Sequence, residues 1–365
     1  MIKVEERNSS FELLRIVAMI MIIFNHFAVH GHFNYGIEIS FNSIWYTIMS
    51  FLGNIGVDLY ILISGYFLIK SDKVEIKKLF KLWGEIIFYS LIISLIFSIP
   101  NLVYIKKIKL INIIIPVTTE TWWFATTYFI MYIIHPYINK IIQKLDKKEH
   151  QVLILLTLFI WSIIPTITSF SLGSNNLLWF ITLYIFASYI RLYDFRKVNK
   201  KYYILFALLI MTITVFSSVF TVYLSRNNFE LLKYTMILNN KNSMTLFLVS
   251  IEIFLFFKNT NIKNNKYINA IAGTTFGIYL IHDHPYLREF LWLYFFKNKF
   301  FQNSNMLIIY SIAITLSVFL VCMIIDILRK KIFEPILLKI ISKYEDKIKT
   351  TSHSLVDKII KLIFI

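Results

Sequence analysis

Cysteine is nearly absent from this sequence, in which Cys322 is the single one among 365 residues. A disulfide within the chain is therefore impossible, and a metal site built from several thiolates is excluded. Charged residues are also scarce, at 16% of the chain, whereas soluble domains contain about 25%. Hydrophobic residues make up 57%. This composition excludes an ordinary soluble domain and predicts a protein with several membrane spans.

The sequence also lacks internal repeats, Gly/Ser-rich linkers and any stretch typical of an appended soluble domain. We expect no cleavable signal peptide, because the first apolar run is long and has no small-residue cleavage site. The net charge of +17 would suit nucleic-acid binding, but the lysines lie in short loops between apolar runs. That arrangement is typical of membrane topology and of contact with anionic lipids. We therefore expect membrane lipids, and no nucleic acid, among the partners.

Apolar runs of about 20 residues, the length that a bilayer requires, predict an all-α polytopic bundle of about ten transmembrane helices. The predicted spans are roughly residues 11–30, 44–69, 82–100, 122–141, 152–170, 176–193, 202–224, 242–258, 268–296 and 306–328. Loops after the even-numbered spans carry more lysine and arginine than the others, which predicts that both termini are cytosolic. Residues 1–329 would form the transmembrane domain, and residues 330–365 a basic amphipathic helix on the inner leaflet.

Two costly side chains, Arg15 and His26, lie in the first apolar run. An ionisable group inside a bilayer is penalised by a few kcal/mol, so its presence points to function. The two residues are 11 positions apart. At about 100° per residue this is roughly three helical turns plus 20°, so both side chains lie on one helix face, about 16 Å apart along the axis. Singly, Arg15 could be a topology anchor and His26 a packing residue. Together they predict a guanidinium that binds an anion near the inner surface and an imidazole that acts further out as general base or acyl carrier.

The second span contains the sequence GVDLYILISGYFL, residues 56–68. Asp58 is a carboxylate inside this span, and we expect it to orient a catalytic histidine or to pair with Arg15. Ser64 and Tyr66 flank a glycine, where a neighbouring helix or a ligand can approach closely. We predict that these two residues contact a cofactor, although close helix packing would use the same small residues.

A basic run follows the second span. Lys77, Lys78 and Lys81 fall on one side of a helix. Positive charge in a cytosolic loop needs no further explanation than membrane topology. The same lysines, beside Arg15, would also form a patch for the phosphates of a nucleotide-bearing cofactor, and this is the role that we predict.

Aromatic and acidic residues lie where the fourth span meets the outer surface. Trp122 and Trp123 are typical of the aromatic belt at a membrane interface. They could equally form a platform for a sugar, because aromatic rings pack on the apolar faces of pyranoses. Glu120 beside them could act on a sugar hydroxyl, and Tyr128 follows on the same helix. We predict that these four residues bind the acceptor.

A second polar cluster lies in the ninth span, in the sequence TTFGIYLIHDHPYL, residues 274–287. We predict that Tyr279 and His282 line an intramembrane active site and that His284 contacts the substrate, although bundle packing is an alternative. A His-Asp-His sequence has the residue types of metal ligands, but alternate residues do not share a helix face, so we expect no metal. Pro285 is expected to break the helix.

These motifs together resemble the membrane acyltransferase-3 family, bacterial enzymes that O-acetylate cell-surface glycans. The resemblance rests on Arg-x10-His in the first span, GVDLY…SGYFL in the second, WWF…Y at the start of the fourth and GIYLIH in the ninth. The motifs keep the family's order and topology over nearly the whole chain, to about Arg329.

The resemblance implies an enzyme that takes acetyl-CoA from the cytosol and an acceptor glycan on the outer side of the bacterial cytoplasmic membrane. It implies that Arg15 and His26 are the essential pair and that Tyr279 lines the site with His282. Many members carry two arginines four residues apart after the second span, and lysines have that spacing here. Some relatives also have a C-terminal esterase-like domain. Its absence from this sequence implies that the chain completes the transfer itself, acts on a lipid-linked sugar, or uses a separate extracytoplasmic partner.

Two other classes of protein stay open from the residues alone. A glycan polymerase or flippase would also have many spans and many aromatic residues, although the external loops here are short for a polymerase. A proton-coupled transporter could relay protons through His26, Asp58 and His282, but such folds often show inverted repeats. Binding of acetyl-CoA would separate the enzyme from both. The glycan, the modified hydroxyl, the acyl group and the oligomeric state stay open.

Overall fold

The computed structural model describes residues 8–34, 36, 38–98, 110–168, 170, 172–193, 195, 198–235, 238 and 240–364. Regular structure within these residues is helical throughout. The helices are α1 (Ser9–Val29), α2 (Phe41–Leu68), α3 (Ile76–Phe97), α4 (Leu110–Ile114), α5 (Trp123–Ile142), α6 (Lys147–Leu158), α7 (Ile164–Thr168), α8 (Asn176–Leu192), α9 (Lys200–Ser225), α10 (Met244–Lys258), α11 (Lys266–Ala272), α12 (Thr275–His282), α13 (Pro285–Glu289) and α14 (Leu307–Phe364). Short π-helical and 3-10 segments join or extend them, at Phe159–Ile163, Phe229–Tyr234, Phe290–Phe295 and Asn298–Phe301. The all-α prediction is therefore confirmed for the part of the chain that the structure describes.

Six helices in the described ranges are long and apolar enough to cross a membrane. They are Ser9–Val29, Phe41–Leu68, Ile76–Phe97, Lys147–Thr168, Lys200–Ser225 and Leu307–Tyr344. In the most apolar 18-residue stretch of α9, only 17% of the residues are buried inside the protein. Such an apolar and uncovered surface is stable against lipid but not against water. The protein is thus a multi-pass membrane protein, while the number of about ten spans and the cytosolic location of both termini stay predictions.

α1 lies at the centre of the bundle, where it packs against α2, α10, α11, α12 and α14. Small residues bring α1 and α2 together. A Cβ atom at Gly56 would lie 2.6 Å from the carbonyl oxygen of Ala18, and one at Gly53 would lie 2.5 Å from the side chain of Asn25. Close backbone approach of this kind is how membrane helices gain packing energy without a hydrophobic driving force.

The N-terminus of α1 is fixed by hydrogen bonds. The Asn8 side chain accepts from the Ser10 amide at 3.0 Å, which caps a helix end that would otherwise leave donors unpaired. The Ser10 hydroxyl donates to the carbonyl of Thr260, and the Ser9 hydroxyl donates to Asn269 Oδ1 at 2.9 Å. These bonds tie the start of α1 to α11 and to the residues that follow α10.

The ninth predicted span, roughly residues 268–296, is divided into α11, α12 and α13 in the structure. α11 ends at Ala272 and α12 begins at Thr275, so the backbone is already interrupted before the His-Asp-His sequence. α12 then ends at His282, and Pro285 is the first residue of α13. Proline is favoured at that position because its missing N–H would have no helical partner there. The expected break at Pro285 is confirmed.

The last helix continues without interruption past the predicted boundary between residues 329 and 330. Arg329 is 4% exposed and holds this part of α14 against the bundle. Its Nε donates to Asp326 Oδ1 at 2.7 Å, and its Nη2 lies 2.9 Å from Glu85 Oε1 on α3. The predicted tail therefore begins as a direct extension of the final span, and its position on the inner leaflet stays a prediction.

Candidate active site

A cavity of about 810 Å³ lies beside α1, between α2, α3, α5 and α12. On α1 its lining includes Arg15, Met19, Ile22 and His26, and His30 at the C-cap of α1 also lines it. These residues recur every three or four positions, which is one face of an α-helix. Arg15 and His26 therefore share a face and a cavity, as the helical period predicted.

Basic residues gather at one end of the cavity, which we call the lysine end: Arg15, Lys78 and Lys81. Each has a carboxylate partner. Arg15 Nη1 lies 2.5 Å from Glu12 Oε1, Lys78 Nζ lies 2.7 Å from Glu75 Oε1, and Lys81 Nζ is paired with Glu334 Oε1. A phosphate bound here would have to displace these carboxylates. Pairs near the surface contribute only about 0–1 kcal/mol, so such an exchange is feasible for a multiply charged ligand.

Two histidines meet at the opposite end of the cavity, where His26 lines it and His282 lies behind His26, which corrects the prediction that His282 lines the site. Nδ1 of His26 lies 3.0 Å from Nε2 of His282, and Nδ1 of His282 lies 2.6 Å from the carbonyl oxygen of Ile278. A carbonyl oxygen can only accept, so Nδ1 of His282 carries the hydrogen and its Nε2 accepts. Nδ1 of His26 must then be a donor. In the neutral pair, the lone pair of His26 is therefore on Nε2, the nitrogen that a general base or nucleophile would use.

Asp283 connects the remaining polar groups at this end, and our sequence-based choice of site residues did not include it. Its Oδ1 lies 3.6 Å from Nδ1 of His26, 3.7 Å from Nε2 of His30 and 3.2 Å from Nη1 of Arg288. We call His26, His30, Asp283 and Arg288 the histidine end. The sequence signal for Asp283 was its place in the His-Asp-His motif, and the signal for His30 was its four-residue spacing from His26. Arg288 had no signal of its own.

Three residues of the histidine end could hold a divalent cation. One ligand atom each from His26, His30 and Asp283 lies within 4.8 Å of the other two. Two histidines four residues apart on a helix plus a carboxylate is a donor set that zinc accepts. However, Nη1 of Arg288 lies 3.2 Å from Oδ1 of Asp283, and the positive charge of this guanidinium opposes the binding of a second cation. We had expected no metal, and the pair considered from sequence was His282 and His284 instead.

Aromatic residues form the wall between the two ends. Phe124 packs against Tyr128 and Tyr279, with ring centroids 6.0 and 5.6 Å apart. Trp123 and Ser64 also line the cavity, and the Ser64 hydroxyl lies 3.5 Å from the Tyr128 hydroxyl. The wall is mostly apolar with a few hydroxyl groups, so it suits a long, largely uncharged part of a ligand.

Asp58 does not line the cavity, which corrects the prediction that it orients a catalytic histidine or pairs with Arg15. It is 1% exposed and accepts hydrogen bonds from Trp179 Nε1 at 2.9 Å and from Ser250 Oγ at 3.2 Å. Val57 and Tyr60 of the same helix do line the cavity. One residue turns a helix by about 100°, so Asp58 faces α8 and α10 and pairs with neither Arg15 nor a histidine.

Two predicted cofactor residues also lie away from the cavity lining. Tyr66 accepts a hydrogen bond from Arg191 Nη1 at 3.1 Å, and the guanidinium lies 4.7 Å from its ring centroid. Lys77 lies on α3 next to Lys78 but is not among the lining residues. The helical period explains this, because Lys78, Lys81 and Glu85 form the stripe that faces the cavity.

The predicted sugar platform is only partly formed. Trp122 is 1% exposed and packs edge-on against His284, with ring centroids 5.3 Å apart. Nε2 of His284 lies 3.5 Å from Ser94 Oγ. Glu120 is an exposed turn residue with φ of 51°. Of the four predicted platform residues, Trp123 and Tyr128 line the cavity, whereas Trp122 and Glu120 do not. His284, which we predicted to contact the substrate, also lies outside the cavity lining.

A buried ion network lies behind the lysine end and has no counterpart in our sequence analysis. Glu85 lines the cavity and pairs with Arg329 of α14. Asp326 accepts from the Tyr89 hydroxyl at 2.8 Å as well as from Arg329. Such a network costs desolvation energy that only mutual pairing offsets. The signal that could have revealed it is the spacing of Asp326 and Arg329, which puts two charges on one face of the last span.

Apolar helices surround a cavity with a guanidinium at one end and a hydrogen-bonded histidine pair at the other, so the protein is a multi-pass membrane protein with an internal polar cavity. The model of the acyltransferase-3 family, described as an acyltransferase domain, matches residues 8–327. The chain therefore belongs to the acyltransferase-3 family, and the protein is a membrane acyltransferase. Searches of the curated proteins and of the solved structures found no match. The family resemblance predicted from four motifs is confirmed.

Proposed function

We propose that the protein transfers an acetyl group from acetyl-CoA to a hydroxyl of a cell-surface or lipid-linked glycan at the bacterial cytoplasmic membrane. The observation that carries this proposal is the common cavity that Arg15 and His26 line at its two ends. Donor and acceptor can then approach from opposite sides while the thioester and the hydroxyl meet beside one imidazole. Such positioning supplies much of the rate gain in a group transfer between two substrates.

The donor phosphates bind at the lysine end. Arg15, Lys78 and Lys81 replace their carboxylate partners by phosphate oxygens, since charge-assisted bonds to phosphate are stronger than exposed ion pairs. The pantetheine arm lies along the aromatic wall, where Ser64 offers a hydroxyl to its amides. Tyr66 and Lys77 take no part in this binding mode, because neither lines the cavity.

The reaction uses the lone pair on Nε2 of His26. That nitrogen takes the proton of the acceptor hydroxyl while the hydroxyl oxygen attacks the thioester carbonyl. The C–O bond forms, the C–S bond breaks, and the imidazolium returns the proton to the CoA thiolate. Alternatively, Nε2 attacks the thioester carbonyl and the C–S bond breaks with release of the CoA thiolate. The acceptor oxygen then takes the acyl group from Nε2, and its proton goes to the thiolate. In both routes His282 keeps the hydrogen of His26 on Nδ1.

The other two classes raised by the sequence receive no specific support. A relay for a proton-coupled transporter would need Asp58 in line with His26 and His282. Asp58 instead packs against Trp179 and Ser250. For a glycan polymerase or flippase, the described residues offer no feature that the acyltransferase leaves unexplained.

The test is acetyl transfer by the purified protein in lipid nanodiscs, measured as CoA thiol release that depends on an added glycan fraction. Wild-type protein should bind acetyl-CoA and release thiol. His26→Asn should bind acetyl-CoA but lose transfer. The matched control is His32→Asn, since His32 is exposed, lies outside the cavity and has φ of 53°, which asparagine tolerates. Full transfer by His26→Asn, or no acetyl-CoA binding by the wild type, would overturn the proposal.

A further inference from the structure

A second pocket of about 440 Å³ adjoins the cavity at its histidine end. Its lining residues are Val29, Tyr46, Ser50, Asn54, Asn240, Lys241 and Asn242, and we call this pocket the polar annex. Val29 and Asn54 also line the large cavity, so the two spaces share a wall. Val29 follows His26 by three residues on α1, about one helical turn. The annex therefore lies next to the proposed reactive ring and away from the lysine end.

The lining of the annex differs in chemistry from the aromatic wall. Apart from Val29, every side chain in it carries a hydrogen-bonding group, and three of them are asparagines. An amide offers both donors and acceptors, as a sugar hydroxyl does, so amides can match a ring of hydroxyl groups at several points. Lys241 is the one cation in this lining, and its Nζ donates to Asn176 Oδ1 at 2.5 Å. Amides and hydroxyl groups with apolar surface between them match a neutral sugar ring, which has both polar edges and apolar faces.

Hydrogen bonds hold residues 240–243, which form one side of the annex. Asn242 Nδ2 donates to the carbonyl of Trp161 at 2.7 Å. The Ser243 amide donates to the carbonyl of Asn240 at 2.9 Å, and the Ser243 hydroxyl caps α10 by accepting from the amide of Leu246. A polar wall that is ordered before the ligand arrives loses little entropy on binding.

We propose that the polar annex is the acceptor subsite of this acyltransferase and binds a neutral sugar ring through Asn54, Asn240 and Lys241. This assignment rests on the proposed function for its biological meaning. A ring seated there presents a hydroxyl to Nε2 of His26 from the side opposite to the donor. In this proposal the annex binds the acceptor sugar. Trp122 and Glu120, for which the sequence suggested that role, lie outside the cavity.

The experiment measures sugar binding directly and does not depend on turnover. Methyl glycosides of glucose, galactose and N-acetylglucosamine are the probes, and binding to the nanodisc-embedded protein is followed by saturation-transfer NMR, with inorganic phosphate as the competing class. At least one glycoside should bind the wild type. Asn240→Ala and Lys241→Met should each weaken that binding about tenfold, the effect of about 1.4 kcal/mol expected for a lost polar contact, and leave acetyl-CoA affinity unchanged.

The matched control is Asn227→Ala, because Asn227 is an exposed asparagine on the same connection between α9 and α10 but does not line the annex. It should bind the glycoside as the wild type does. The proposal is overturned if no glycoside binds the wild type, if phosphate binds in preference, or if the annex variants equal the control. Failure of the proposed function gives a different result. The wild type would then bind a glycoside, the annex variants would bind it more weakly, and none of these proteins would bind acetyl-CoA.

Discussion

Nε2 of His282 lies 3.0 Å from Nδ1 of His26, and Nδ1 of His282 donates a hydrogen bond of 2.6 Å to the backbone carbonyl of Ile278. This chain of two hydrogen bonds determines where the hydrogens of both rings lie. It makes His282 a positioning residue for His26, because it holds the tautomer that leaves Nε2 of His26 basic. His282 acts in this way without lining the cavity itself.

His282→Phe should lower kcat for acetyl transfer about 100-fold, because it removes the acceptor that fixes the hydrogen on Nδ1 of His26. KM for acetyl-CoA should not change, since the donor phosphates bind at the other end of the cavity. His282→Gln should recover much of the loss, because its amide oxygen can replace Nε2 as acceptor. Steady-state kinetics of the two variants test this, and equal losses in both would contradict the positioning role.

Glu334→Gln should increase the affinity for acetyl-CoA about threefold, because it releases Lys81 from its carboxylate partner. The gain should disappear in the double variant Glu334→Gln/Lys81→Met. Asp72→Asn is the control, since Asp72 is an exposed carboxylate shortly before α3 that does not line the cavity. Isothermal titration with acetyl-CoA measures the three affinities. Unchanged or weaker binding by Glu334→Gln would show that Lys81 is not a donor ligand.

Removal of divalent metal should leave acetyl transfer unchanged. His26, His30 and Asp283 have the geometry of a possible metal site, but Arg288 lies 3.2 Å from the same carboxylate oxygen, and like charges repel there. Dialysis against EDTA followed by metal analysis and a transfer assay tests this expectation. Stoichiometric zinc in the purified protein, with activity lost on chelation and restored by zinc, would instead assign these residues as metal ligands.

Gly56→Val should destabilise the protein by about 1–3 kcal/mol, because a branched side chain cannot fit where a Cβ atom already lies 2.6 Å from the backbone of α1. Gly36→Val is the matched control, since a Cβ there meets no atom within 4 Å. Thermal unfolding of both variants in the same nanodiscs measures the difference. Equal stability would mean that α1 and α2 can separate without cost.

The helical period and the composition were sufficient to predict the membrane helices and the helix face that Arg15 and His26 share. A long apolar first helix puts Arg15 and His26 on one face whatever surrounds it, because the backbone alone sets the 100° rotation per residue. The scarcity of charge predicted membrane helices, and the order of four motifs predicted the family. Each of these inferences depends on local geometry or on pattern, and none requires knowledge of which helices are neighbours.

Tertiary structure decided which partners those residues meet. Asp58 and Tyr60 are two residues apart, yet one packs against Trp179 and the other lines the cavity. Asp283 and His30 come from distant parts of the chain and meet only because α12 ends beside α1. The sequence by itself determined the face on which each side chain lies, while helix packing, which depends on every neighbouring surface at once, decided what that face contacts.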